Sequence, residues 1–146
     1  MQQGQEQQAA RTKTWNPESA MSHRRVVVTG MGIVSPIGNT LASAWDSIQA
    51  GRCGIGPITH FDASAYATRI AGEVRDFDAK SFLPPKDVKK MDTFIHYGLA
   101  ASFQAMDDAG LEVTEANAER IGAIIGAGIG GVRGIEDTAI ALHEGG

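Results

Sequence analysis

The sequence predicts an α/β fold with a parallel sheet, and two observations carry this prediction. Residues 26–28 and 121–125 are short runs that are apolar on both faces, which is typical of strands covered on both sides. Segments with helical spacing follow them, and alternation of strands with helices favours parallel pairing. The 146 residues, 42% of them apolar, suit one domain. Three strands and three helices leave sheet edges unpaired, so we expect an incomplete piece of a larger fold.

The N-terminal residues differ in composition from the rest of the chain. Glutamine occupies positions 2, 3, 5, 7 and 8, and the apolar stretch of a secretory signal is missing. We therefore predict a disordered, dispensable extension over residues 1–20 and a folded part over residues 21–146.

The first predicted unit is a strand over residues 26–28 followed by a helix. Glycine and proline indicate a turn over residues 31–38. We expect Asn39 to cap a helix whose apolar stripe begins at Leu41, and Gly51 to end it.

The middle of the chain predicts one weak strand, a short helical turn and one long helix. Residues 67–74 alternate in polarity, although Gly72 weakens a strand there. Two prolines then start a short helical turn over residues 86–90. Asp92 caps the clearest helix, and Gly110 ends it. The predicted strand over residues 121–125 and a last helix with an apolar face complete the pattern.

Glycine is unusually frequent, with 18 residues in the chain. Gly126, Gly128 and Gly131 match the G-x-G-x-x-G fingerprint of dinucleotide sites between a predicted strand and a helix. The fingerprint also needs an acidic residue about 20 positions further on, beyond the 15 residues that follow Gly131 here. Close backbone packing at a strand-to-helix corner is the favoured alternative.

Charge excludes some partners and indicates another. The formal net charge is −4, which argues against general nucleic-acid binding, and no apolar run is long enough for a membrane span. Lys86, Lys89 and Lys90 stand at i, i+3 and i+4, so a helical turn places them on one face. This lysine patch is either a solvated face or a docking surface for an acidic partner.

Cysteine and histidine give no catalytic or metal-binding pattern. Cys53 is the only cysteine, which excludes a disulfide within the chain. His23, His60, His96 and His143 are scattered without ligand spacing, so we expect no metal site.

Four segments together resemble the N-terminal part of β-ketoacyl-acyl carrier protein synthases. They are RVVVTGMGIVSPIGN (residues 25–39), HFDASAYAT (60–68), KMD (90–92) and IGAIIGAGIGG (121–131). Type I condensing enzymes and polyketide ketosynthases share the first and last segments, whereas residues 60–68 favour the type II enzyme of bacterial fatty acid synthesis.

The resemblance implies a thiolase-like, layered α/β/α/β/α fold of two similar halves, of which this chain holds an incomplete N-terminal part. The family condenses a cysteine-bound acyl chain with malonyl-acyl carrier protein through decarboxylation. It implies a cytoplasmic homodimer, acyl carrier protein as partner and no cofactor. Lys86, Lys89 and Lys90 match the family's carrier-protein patch. Ile129 matches the residue at the far end of the acyl pocket, near the dimer interface.

The resemblance assigns no catalytic residue to these 146 residues. The family nucleophile lies further along, in a context like Thr-Ala-Cys, and two catalytic histidines follow it. Cys53 stands between Arg52 and Gly54 and does not match that context. We therefore expect this chain by itself not to condense acyl groups. A non-catalytic fragment that docks carrier protein, a type I or polyketide relative, and a dinucleotide-binding module are the alternatives.

Overall fold

The computed structural model describes residues 25–145. The predicted extension over residues 1–20 lies outside them. The described helices and strands, in chain order, are α1 (Leu41–Gln49), β1 (Ile55–Pro57), β2 (Ile70–Gly72), a 3-10 turn (Ala79–Ser81), α2 (Pro85–Val88), α3 (Thr93–Asp108), a second 3-10 turn (Ala118–Arg120) and α4 (Val132–His143).

Helix α3 is the centre against which the N-terminal segment packs. Its Ala100 is fully buried. A Cβ on Gly30 would overlap the carbonyl oxygen of Ala105, and a Cβ on Gly32 would overlap that of Ala101. Only glycine lets the segment lie directly on the helix backbone at these two positions.

Side-chain hydrogen bonds join the same segment to α3. The Gln104 Nε2 donates to the carbonyl oxygens of Ile33 at 3.2 Å and Asn39 at 3.0 Å. The Asp108 Oδ2 accepts from the Met31 amide at 2.9 Å. These bonds satisfy backbone groups in a stretch that forms no ladder of its own.

The predicted start of α1 is wrong by one residue. Thr40, and not Asn39, is the N-cap, because Thr40 and Ser43 form a reciprocal capping box. Asn39 instead donates from Nδ2 to the Arg75 carbonyl at 2.7 Å. The predicted end is confirmed: Gly51 has φ 62° directly after the helix.

Both predicted ends of α3 are confirmed. The Asp92 Oδ1 accepts from the Thr93 amide at 2.6 Å. At the other end Gly110 has φ 58°, its amide donates to Asp107, and the Leu111 amide donates to Met106. This is the Schellman arrangement, in which a glycine in the left-handed region of φ lets two carbonyl groups of the last helical turn accept hydrogen bonds.

The described sheet is small and antiparallel. β1 pairs with β2, with Ile55 opposite Gly72 and Pro57 opposite Ile70. The strand predicted over residues 67–74 is therefore confirmed only in its centre, and the predicted parallel pairing is not formed within residues 25–145.

The two buried strands predicted over residues 26–28 and 121–125 are wrong for the described structure. Both segments have no regular secondary structure and are unpaired, and Val26 and Ile124 are 93% and 100% exposed. A strand needs a neighbour for its backbone hydrogen bonds and a layer over its apolar side chains. Neither segment has such a neighbour among the described residues. The last predicted helix is confirmed as α4.

Candidate functional site

The lysine patch lies on and just after α2. Pro85 occupies the first turn, where its missing amide costs nothing, and the backbone of Lys89 stays helical with φ −70° and ψ −17°. Lys86, Lys89 and Lys90 are all exposed. None of them forms an ion pair with a residue between 25 and 145. Their three charges are therefore available to a partner.

A buried histidine of α3 contacts the end of α2. The His96 Nε2 lies 3.1 Å from the carbonyl oxygen of Val88, and His96 is only 8% exposed. This contact is not among those predicted from the sequence. The signal that could have shown it is an ionisable residue beside the apolar stripe of the longest helix.

An open cleft of about 830 Å³ lies beside the same end of α3. Its walls are the loop over residues 60–66, the first turns of α3 and the start of α4. Phe61 and Tyr66 meet edge to face with ring centroids 5.7 Å apart. Phe94, Tyr97 and Arg133 line the remaining sides. The cleft therefore combines aromatic surface with a few charges.

Glu73 holds the loop that forms one wall of this cleft. Its carboxylate is buried and accepts from the Thr59 amide at 2.8 Å, the Thr59 hydroxyl at 2.7 Å and the His60 amide at 3.3 Å. The bonds from the Thr59 amide and hydroxyl hold the pKa of Glu73 below its ordinary value of 4.5. The ionised form of Glu73 is thus the one that fixes the loop.

We predict that Glu73→Gln loosens this loop and removes its acid sensitivity. Because folding lowers the pKa, the stabilisation is complete above pH 4.5 and is lost as the pH falls through the lowered value. Hydrogen exchange of residues 59–66 between pH 7 and pH 3 measures it. Exchange that responds equally to pH in parent and variant contradicts the assignment, and Glu112→Gln, at an exposed carboxylate, is the control.

The glycine segment over residues 126–131 lies against the first turn of α3. Gly130 has φ 36°, and a Cβ there would come within 2.9 Å of the Phe94 ring. A Cβ on Gly131 would lie 2.8 Å from the Asp92 Oδ2. Gly126 and Gly128 face open space. Close backbone packing, the alternative favoured from the sequence, thus accounts for Gly130 and Gly131.

The same geometry argues against a dinucleotide site. A pyrophosphate would have to approach the N-terminus of α4, which begins after Gly131. The Asp92 carboxylate already lies there, and two anions at one helix terminus repel each other. Ile129, next to Gly130, is 76% exposed, and its place in an acyl pocket stays a prediction.

Cys53 has no catalytic surroundings among the described residues. Its Sγ accepts from the Ile55 amide at 3.4 Å and lies 3.8 Å from the Ile55 carbonyl, and the thiol is exposed. Residues 25–145 contain no group of three side chains able to hold a metal ion. Within the same range, no helix is long and apolar enough to cross a bilayer.

We predict that Cys53 is not acylated by an acyl thioester at neutral pH, because its neighbours supply no general base. Intact-mass spectrometry of the chain after incubation with acyl-acyl carrier protein measures this. An added acyl mass that disappears in Cys53→Ala would contradict the prediction.

Comparison with known proteins gives the class to which these features belong. The family described as "Beta-ketoacyl synthase, N-terminal domain" matches residues 23–145. The chain therefore belongs to the β-ketoacyl synthase family, through the N-terminal domain of that family. This confirms the resemblance inferred from the four sequence segments.

Two relatives of this chain share one name. The 3-oxoacyl-acyl-carrier-protein synthase 2 of Vibrio harveyi is 56% identical over 124 residues, which are 85% of this chain and 30% of that relative. The protein of the same name from Synechocystis is 52% identical over 124 residues, with the same shares covered. The chain thus spans about 30% of the length of these curated relatives.

A solved structure supports the fold. The ishigamide ketosynthase/chain length factor is similar with a TM-score of 0.53 and 39% identity, over 61% of this chain and 22% of that chain. The family and this neighbour together support a thiolase-like fold, of which residues 25–145 show the helices and one small sheet.

Proposed function

We propose that these residues form the N-terminal part of a type II β-ketoacyl-acyl carrier protein synthase that elongates fatty acids. The observation that carries the proposal is the 56% identity over 124 residues to a 3-oxoacyl-acyl-carrier-protein synthase 2. In the proposed reaction malonyl-acyl carrier protein loses CO₂, its carbanion attacks the acyl thioester, and the cysteine thiolate leaves. Residues outside this chain supply that cysteine.

The proposed contribution of this chain is to bind the carrier protein and to shape the acyl pocket. The lysine patch, exposed and without ion pairs among residues 25–145, supports the first role. The glycine segment beside Ile129 supports the second, since Gly130 and Gly131 pack on the first turn of α3. Both features lie at the same end of α3, directly before and against its N-terminus.

A chimaera tests the proposal. Residues 23–145 of this chain replace the matching part of the Vibrio harveyi synthase, and condensation of acyl- with malonyl-acyl carrier protein is measured. We expect β-ketoacyl product at a rate within about tenfold of the parent synthase. A chimaera that is folded by circular dichroism but forms no product contradicts the proposal.

The homodimer and the cytoplasmic location belong to the same proposal. The exposed apolar side chains of Ile129, at the predicted pocket end, and of Ile135 on α4 support an apolar contact with a second copy. Sedimentation of the chimaera measures the dimer, and Ile135→Lys, on an exposed position of α4, is expected to weaken it.

The alternative of a polyketide ketosynthase relative is favoured by one observation, the similarity to a structure that is named as a ketosynthase/chain length factor. That similarity is 39% identity, against 56% for the fatty acid relative. Competition between fatty acid and polyketide carrier proteins for the chimaera separates the two.

A further inference from the structure

The helix that carries the lysine patch cannot hold its own position. α2 has four residues, and its N-cap, Pro84, supplies no side-chain hydrogen bond. Isolated helices shorter than about 12 residues are marginal in water, because nucleation costs more than a few hydrogen bonds return. The placement of Lys86, Lys89 and Lys90 therefore depends on contacts to the rest of the protein.

The segment before α2 is held by aromatic packing on α3. Phe77 meets Tyr97 edge to face at 4.9 Å and stacks on Phe82 at 5.9 Å. Leu83 is buried just before the two prolines. These contacts fix the start of α2 but do not reach its end, where two of the three lysines lie.

The end of α2 is held by one side chain of α3. Val88 is the last residue of α2, so its carbonyl is one of those left without a partner inside the helix. The His96 Nε2 lies 3.1 Å from this oxygen. Since a carbonyl can only accept, Nε2 carries the proton, which both the imidazolium and one neutral tautomer allow. Lys89 and Lys90 follow Val88 directly.

We propose that His96 is a positioning residue for carrier-protein binding, holding the end of α2 so that Lys86, Lys89 and Lys90 present one surface. The inference rests on the proposed docking function and adds a residue that does not touch the partner. It acts by reducing the ordering that α2 must undergo on binding, since a pre-ordered surface loses less conformational freedom.

Two substitutions separate the hydrogen bond from the volume of the side chain. His96→Leu fills the space but cannot donate, whereas His96→Gln keeps an N–H donor. His143→Leu, in the last turn of α4 and exposed, is the matched control. Circular dichroism checks that all the variants keep the helix content of the parent chain.

The first measurement is amide hydrogen exchange of residues 86–90 in the whole chain. We expect His96→Leu to speed this exchange about tenfold and His96→Gln to restore at least half of the protection. Exchange that is unchanged in His96→Leu overturns the inference, whatever the outcome for the proposed function.

The second measurement is the Kd of phosphopantetheinylated acyl carrier protein for the chain, by fluorescence anisotropy. We expect His96→Leu to weaken binding about fivefold, the size of one ordinary hydrogen bond, and His96→Gln and His143→Leu to bind within twofold of the parent. Unchanged binding by His96→Leu overturns the inference while the docking function stands. A parent chain that does not bind the carrier protein overturns both.

Discussion

Alanine at Gly32 is expected to lower the free energy of unfolding by about 3 kcal/mol, the upper end of the usual cost of overpacking. The new Cβ would overlap the Ala101 carbonyl oxygen and come within 2.8 Å of the Gln104 Cβ. The carbonyl belongs to the α3 backbone, which cannot yield without breaking helical hydrogen bonds. The segment must therefore lift off α3, which also strains the bonds from Gln104 to Ile33 and Asn39.

Urea unfolding followed by circular dichroism measures this change. The matched control is Gly122→Ala, because a Cβ there meets nothing within 4 Å, and we expect a change of less than about 0.5 kcal/mol. A midpoint for Gly32→Ala equal to that of the control would show that residues 30–39 do not pack on α3 in solution.

The helices could be predicted from the sequence because their signals are local. Asp92 and Gly110 act within a turn of the residues they cap, so their identity is enough to place both ends of α3. The error at the start of α1 is also local. Asn39 and Thr40 are both residue types that favour the N-cap position, and only the reciprocal hydrogen bonds with Ser43 identify Thr40 as the cap.

The strands could not be predicted in the same way, because a strand is defined by a neighbour. The valines at 26–28 and the isoleucines at 121, 124 and 125 have the composition of buried strands, yet they are unpaired among the described residues. The pair that does form, β1 with β2, joins residues 15 or so apart through Gly72 and Pro57, which are weak strand formers. Composition therefore indicated that these segments need an apolar layer over them, but not where that layer lies.

The residues of the candidate site also differ in whether a local sequence pattern predicts them. The lysine patch follows from helical spacing, and the helical turn predicted over residues 86–90 is confirmed over residues 86–88, within α2. Glu73 and His96 act on residues 14 and 8 positions away, which no local pattern reveals. The glycines looked alike in sequence, but Gly32 packs on a helix backbone while Gly126 faces open space.

Reversing the lysine patch in Lys86→Glu, Lys89→Glu and Lys90→Glu together is expected to weaken carrier-protein binding about 100-fold. Each exposed ion pair contributes up to about 1 kcal/mol, so the loss of three pairs together with repulsion from an acidic partner gives a factor of about that size. All three side chains are exposed, so the change should leave the fold intact. Anisotropy with labelled carrier protein measures the Kd, and circular dichroism the fold.

The effect of net charge on binding must be separated from the effect of where the charges lie. Arg25, Arg52 and Arg120 are also exposed and lie outside α2, so reversing these three to glutamate changes the net charge equally. We expect the arginine variant to bind within about fivefold of the parent, since only long-range attraction changes. Salt should weaken binding by the parent and by the arginine variant, because screening acts on the contacts of the lysine patch. If the arginine and lysine variants lose affinity equally, the partner responds to overall charge, and α2 is not its docking surface.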